Sequence, residues 1–147
     1  QRADQMRLGD SVIFSGPVPS SEVPLYYALA DVVVDPAHDD APSQGRLPLK
    51  LFESWASGTP FVTADVGDRG RVLGSPPAGV LVEPGSPEAL SHGILEVVLD
   101  ETRADVLRRR GEKRVHQYDW THLAKTMGAC YSKALRDWKR RADRTVV

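Results

Sequence analysis

The 147-residue sequence has little sulfur chemistry to offer: its one cysteine is Cys130. No internal disulfide can form, which fits a reducing compartment. Cys130 lies in an apolar helical stretch and reads as a buried structural thiol. No apolar run approaches the ~20 residues that span a bilayer. The opening "QRADQMRLGD" has no apolar signal core and no initiator methionine, as expected of a fragment or a processed chain. The phosphate-cradling G-x-x-x-x-G-K and G-x-G-x-x-G loops are absent, as are the G-x-S-x-G elbow and the H-E-x-x-H zinc motif. The four histidines, His38, His92, His116 and His122, never pair at helical ligand spacing, so no metal site is expected. There is no internal repeat and no low-complexity segment.

What remains is an ordinary soluble composition, 41% apolar and 27% charged, with a net charge of −1. The charge is unevenly placed. Residues 1–102 hold 6 basic and 15 acidic residues, whereas residues 103–147 hold 13 basic and 5 acidic ones. The basic tail reads first as a solvated helix surface; contact with a membrane surface or a partner is the minority reading. Trp120, Tyr131 and Trp138 are interleaved with that charge. Their helical spacing marks them as core, so no nucleic-acid partner is expected.

The length suits one domain with a real core. Short β-rich runs alternate with helical patterns. "SVIFSG" (11–16), "DVVVDP" (31–36), "TPFVTAD" (59–65) and "AGVLVEPG" (78–85) read as strands. Between the first two, Ser20 or Ser21 can cap a helix with Pro24 in its first turn. "LPLKLFESWAS" reads as a helix stopped by Gly58. Ser86 caps a helix opening with Pro87 and Glu88. Two more helices follow, a charged one over about 101–117 and one from Trp120 to about Trp138. Leu123, Met127, Tyr131, Leu135 and Trp138 make its apolar stripe. This order predicts a doubly wound, Rossmann-like parallel sheet of about four strands, with the C-terminal helices packed on one face.

Ligands of such sheets collect at the C-terminal strand ends. The longest connection there is "DPAHDDAPSQGRLP" (35–48), and long loops in compact domains are often functional. It feeds the helix that begins near Leu49. A helix start offers unpaired amides and a partial positive charge, a seat for phosphate. Lys50 in that first turn opposes the dipole unless an anion binds beside it; pointing to water is an equal reading. Glu53 would be a good acceptor for a ribose diol if buried. Periodicity alone slightly favours an exposed glutamate on the outer face. The "HDD" stretch at 38–40 could hold Mg²⁺, although acidic loops are more often merely solvated.

Four stretches in order resemble the C-terminal half of the nucleotide-sugar domain of family 4 glycosyltransferases, the retaining group with the GT-B fold. They are "SVIFSGPVPSSEVPLYYALADVVVDP", "PLKLFESWASGTPFVTADVG", "AGVLVEPGSPEALSHGILEVVLD" and "HQYDWTHLAKTM". The resemblance spans about residues 8–135 and implies that residues 1–147 are part of a donor-binding domain. Glu53 matches the second glutamate of the family's E-x7-E motif, which binds the donor ribose. Leu49 and Lys50 fall where the helix start meets the diphosphate. Gly16, Pro17 and Val18 match the loop along the base, and Asp39 to Gly45 lie where the sugar is expected. Gly45 occupies the position of the first glutamate, which a subset with the P-x-K-x-x-E form also lacks. The upstream G-R-x-x-x-x-K-G segment and the N-terminal acceptor domain are not in this sequence.

The implied function is transfer of a sugar from a nucleotide-diphosphate sugar to an acceptor hydroxyl with retention. No cofactor beyond that donor is expected, and no catalytic residue is assigned. The chain would supply part of the donor cradle and would not turn over alone. The implied location is cytoplasmic, with membrane association left open. A nucleotide-sugar epimerase half and a non-catalytic interaction domain are the competing readings.

Overall fold

A computed structural model describes residues 2–144, and its helices and strands follow the alternating pattern. In chain order these are α1 (Arg2–Gln5), α2 (Val23–Leu29), β1 (Val33–Asp35), α3 (Ala41–Gln44), α4 (Leu49–Ala56), β2 (Phe61–Ala64), α5 (Arg69–Leu73), β3 (Val80–Val82), α6 (Pro87–Val98), α7 (Glu101–Val115) and α8 (Trp120–Arg144). The three strands form one parallel sheet in the order β1-β2-β3. Val33, Val34 and Asp35 lie beside Phe61, Val62 and Thr63, and Val62 to Ala64 lie beside Val80 to Val82.

Alternation along β2 divides the core into two clusters. Phe61 joins Leu51 and Trp55 of α4, Val72 and Leu73 of α5, and Ala78 on one face. Val62 joins Val80, Val97 of α6, and Ala104 and Leu107 of α7 on the other. Covered on both faces, the central strand is buried along its whole length, as parallel strands are. Burying each such Leu, Val or Phe side chain contributes roughly 1.5–3 kcal/mol. Helices α4 and α7 meet at Gly111 of α7. A Cβ there would stand 2.4 Å from the Trp55 ring, so only glycine lets the two helices approach. Trp55 also donates its indole N–H to the Ala78 carbonyl at 2.8 Å.

Several boundaries follow from local chemistry. Gly58, at φ +71°, ends α4 in the left-handed conformation that only glycine takes at no cost. Ser86 Oγ accepts from the Ala89 amide and starts α6. Pro24 sits in the first turn of α2, but the N-cap there is Glu22 and no serine side chain caps it.

Three expectations need correction. The sheet has three strands, because "SVIFSG" pairs with none of them. Ser11 ends a 3₁₀ turn, and Ile13 and Phe14 are exposed. A β-rich run needs a strand edge to bond, and no edge of this sheet takes it. Nor does α8 join the layer on the sheet. Its main contact is the 3₁₀ turn His116–Tyr118, and Trp120, Met127, Tyr131, Leu135 and Trp138 stay exposed. Cys130 on that helix is therefore exposed, not buried.

Candidate functional site

The C-terminal tip of β1 carries a carboxylate where the apolar run ends. Asp35 is only 2% exposed. A buried carboxylate needs compensating partners, and two cations supply them. Arg69, at the start of α5 and fully buried, donates Nη2 and Nε to Asp35 Oδ2 at 3.1 and 3.3 Å. Lys50, in the first turn of α4, donates Nζ to Oδ1 at 3.0 Å. Burial pushes the Asp35 carboxyl up. The hydrogen bonds and charges of Lys50 and Arg69 outweigh it and hold the group below the usual carboxylate range.

Arg69 also fastens the loop after β1. Its Nη1 donates to the carbonyls of Ser43 and Val66, both at 3.0 Å. Inside that loop the acidic residues have structural jobs. Asp40 Oδ1 accepts from the Ser43 amide at 2.8 Å and caps α3. Asp39 accepts from Gln44 Nε2 at 2.7 Å. Gly67, at φ +59°, lets the loop after β2 press against this one: a Cβ there would lie 2.4 Å from the Gln44 carbonyl oxygen. Among the described residues, no cluster of three or more His, Cys, Asp or Glu is placed to hold a metal ion.

The sequence-derived site residues fall in two places. Leu49, Lys50 and Glu53 share the outer side of α4, because Leu51, Ser54 and Trp55 take the buried side. Pro48 is the N-cap of α4, and no side chain caps its first amides. Lys50 and Glu53 are three residues apart and could pair with each other. Each is instead held by another element: Lys50 by Asp35, and Glu53 by Tyr27 of α2, whose hydroxyl donates to Glu53 Oε2 at 2.9 Å. Glu53 is thus exposed and singly engaged, as the periodicity of α4 requires, and is not buried among Leu51 and Trp55. Burial, then the hydrogen bond and charge of Glu53, push the Tyr27 hydroxyl up to about 12, so it stays a donor at neutral pH.

Gly45 is the C-cap of α3 and leads through Arg46 to Pro48 into α4. Gly16 and Val18 belong to the irregular segment before α2. Gly16 has φ +66° and open space around it. Sequence reasoning missed Asp35, Arg69 and Tyr27. The available signal was an aspartate closing an apolar strand, which must find a buried cation.

A pocket of about 290 Å³ opens on the α6 side of the strand tips. Pro36, Ala37, Ala64, Val82 and Leu90 wall it, and His38, Glu83 and Ser86 are its polar groups. Among the described residues no lysine or arginine lines it, so it offers an anion less than the start of α4 does.

Residues 1–114 match the family model described as "Glycosyl transferases group 1". The D-inositol 3-phosphate glycosyltransferase of Mycolicibacterium smegmatis is 29% identical over 142 residues, covering 97% of this chain and 31% of the relative. The enzyme of the same name from Thermobispora bispora is 28% identical over 144 residues, covering 98% and 32%. Among solved structures, the sucrose-phosphate synthase of Thermosynechococcus elongatus superposes with a TM-score of 0.79 at 28% identity, over 92% of this chain and 33% of that one. The chain therefore spans about a third of the length of the relatives it matches. It belongs to the group 1 glycosyl transferases.

Proposed function

We propose that this chain is part of the donor-binding domain of a retaining glycosyltransferase and holds the nucleoside diphosphate of a nucleotide-sugar at the start of α4. The reaction breaks the bond between the anomeric carbon and the diphosphate oxygen, which keeps the electron pair. A bond forms to an acceptor hydroxyl oxygen, whose proton is released. The departing diphosphate gains negative charge, and uncapped amides with an adjacent ammonium stabilise that change. Leu49 and Lys50 would meet the diphosphate, and Glu53 would take the ribose hydroxyls in place of the Tyr27 hydroxyl. Gly16 and Val18 would lie along the base, and Gly45 near the sugar. A further domain would supply the acceptor site.

The observation that carries the reading is the pairing pattern on α4. A lysine and a glutamate one turn apart at an uncapped helix start are each held by a different element, so the two present opposite charges side by side. Calorimetric titration of the intact protein with UDP, GDP and ADP tests it. One diphosphate should bind, and Glu53→Ala should weaken it by roughly tenfold, the loss of one charge-assisted hydrogen-bond pair. No binding by any of the three would overturn the reading and favour a non-catalytic domain that keeps the fold, to which glycine at position 45 also points.

A further inference from the structure

Two cations share one buried carboxylate at the tip of β1. Arg69 is fully buried, and both of the hydrogen bonds it gives the carboxylate go to Oδ2 of Asp35. That interaction compensates the arginine charge inside the protein, where an unpaired ion would be costly. Oδ1 of the same carboxylate remains for Lys50, whose side chain is 42% exposed. One negative and two positive charges leave the cluster one positive charge in excess, and the only half-open member of it is the Lys50 ammonium.

The direction of the lysine fits this division. Side chains on a helix lean toward its N-terminus. An ammonium from the first turn therefore reaches back over the amides that open α4. A lysine free in solvent would wander among rotamers. Anchored at one of its three N–H bonds by a buried oxygen, and with its side chain 42% exposed, it keeps its other donors for a ligand. Asp35 is itself held at three points: its backbone is in the ladder with β2, its carbonyl accepts from Thr63 Oγ1 at 3.2 Å, and Arg69 bonds the far oxygen.

We propose that Asp35 is a positioning residue. Held at Oδ2 by Arg69, it fixes through Oδ1 the ammonium of Lys50 at the start of α4, so that the excess positive charge of the cluster meets the diphosphate of the donor. This rests on the donor-site reading above and adds a residue that acts on the ligand only through Lys50.

The test is a comparison of two ligands on the intact protein: the nucleoside diphosphate that it binds, and the matching monophosphate. Asp35→Asn should weaken the diphosphate by roughly tenfold, as loss of a residue that orients a ligand-binding group does. The monophosphate, which lacks the outer phosphate, should change by less than about twofold. Lys50→Met should show the same selective loss, and Asp35→Asn in the Lys50→Met background should add nothing. Because Asp35→Asn leaves Arg69 buried without its counter-charge, Asp35→Asn combined with Arg69→Met provides a variant free of that defect, with the same selective loss expected. Equal weakening of both ligands, unchanged diphosphate binding, or independent effects of positions 35 and 50 would overturn the inference alone. Failure of the unmodified protein to bind any diphosphate would overturn the donor reading, and this inference with it.

Discussion

Trp55 and Trp138 both sit on apolar stripes at helical spacing, yet one is 1% exposed and the other 65%. The difference separates the molecule into two regions. From β1 to α7 every apolar stripe meets another: α4 lies on β2 and α7, and α6 lies on β2 and β3. In α8 Met127, Tyr131, Leu135 and Trp138 of the stripe are turned to solvent, as is Trp120, and Leu123 is half-buried. Periodicity tells which side of a helix is apolar. It does not tell whether anything covers that side, because coverage belongs to the partner and not to the helix. An uncovered stripe of this size marks an interaction surface in general. In a chain spanning a third of its relatives' length, the sheet region carries its own core and α8 does not.

The largest expected effect breaks that symmetry of pattern outright. Trp55→Ala should cost about 3–5 kcal/mol of unfolding free energy, through lost burial, a cavity, and an unpaired Ala78 carbonyl. Trp138→Ala should change stability by less than about 0.5 kcal/mol. Urea denaturation of the 147-residue chain measures both. A large loss from Trp138→Ala would show that α8 does pack on the rest of the chain.

Two glycines sharpen the contrast with opposite signs. Gly111 lies where a Cβ would meet the Trp55 ring, so Gly111→Ala should destabilise by about 1–3 kcal/mol through overpacking. Gly128 lies in α8 with open space at its Cβ position. There the helix propensity of alanine acts unopposed, and Gly128→Ala should stabilise by roughly 0.5–1 kcal/mol. Circular dichroism of thermal unfolding reads both shifts. Two losses, or two gains, would contradict the division into a packed and an unpacked region.

The alternation of strand and helix was legible because each of β1, β2 and β3 is mostly apolar and bounded by turn residues. The limits of α4 were legible from Pro48 and Gly58, and the start of α6 from Ser86. "SVIFSG" had the same apolar signature but lacks what the sequence cannot display, a strand edge to bond. Cys130 followed α8: its burial was inferred from a stripe that stays uncovered. At the candidate site, α4 places Leu49, Lys50 and Glu53 together as the spacing implied, with Glu53 on the outer side. The partners of Lys50 and Glu53 were not legible. Asp35 is fifteen positions before Lys50, and Tyr27 twenty-six before Glu53. Only the β1–α4–β2 crossover and the packing of α2 on α4 bring them into reach.

The smallest expected effect concerns acid, and it too separates the regions. Asp35 has a folded-state pKa below its ordinary value, owing to Lys50 and Arg69 acting against burial. A depressed carboxyl contributes stability that is complete above its unfolded-state pKa of about 3.9 and is lost as pH falls through the folded-state value. Unfolding free energy of the sheet region should therefore decline below about pH 4, as the Asp35 carboxylate takes up a proton and leaves Arg69 uncompensated. Asp35→Asn should flatten that part of the profile, since the amide cannot titrate. The helical signal of α8 owes nothing to this cluster and should keep the same acid response in both proteins. An undiminished slope in Asp35→Asn would place the acid sensitivity on the surface pairs, such as Asp68 with Arg71, whose carboxyl is also held low. The tip of β1 would then contribute no pH-dependent stability.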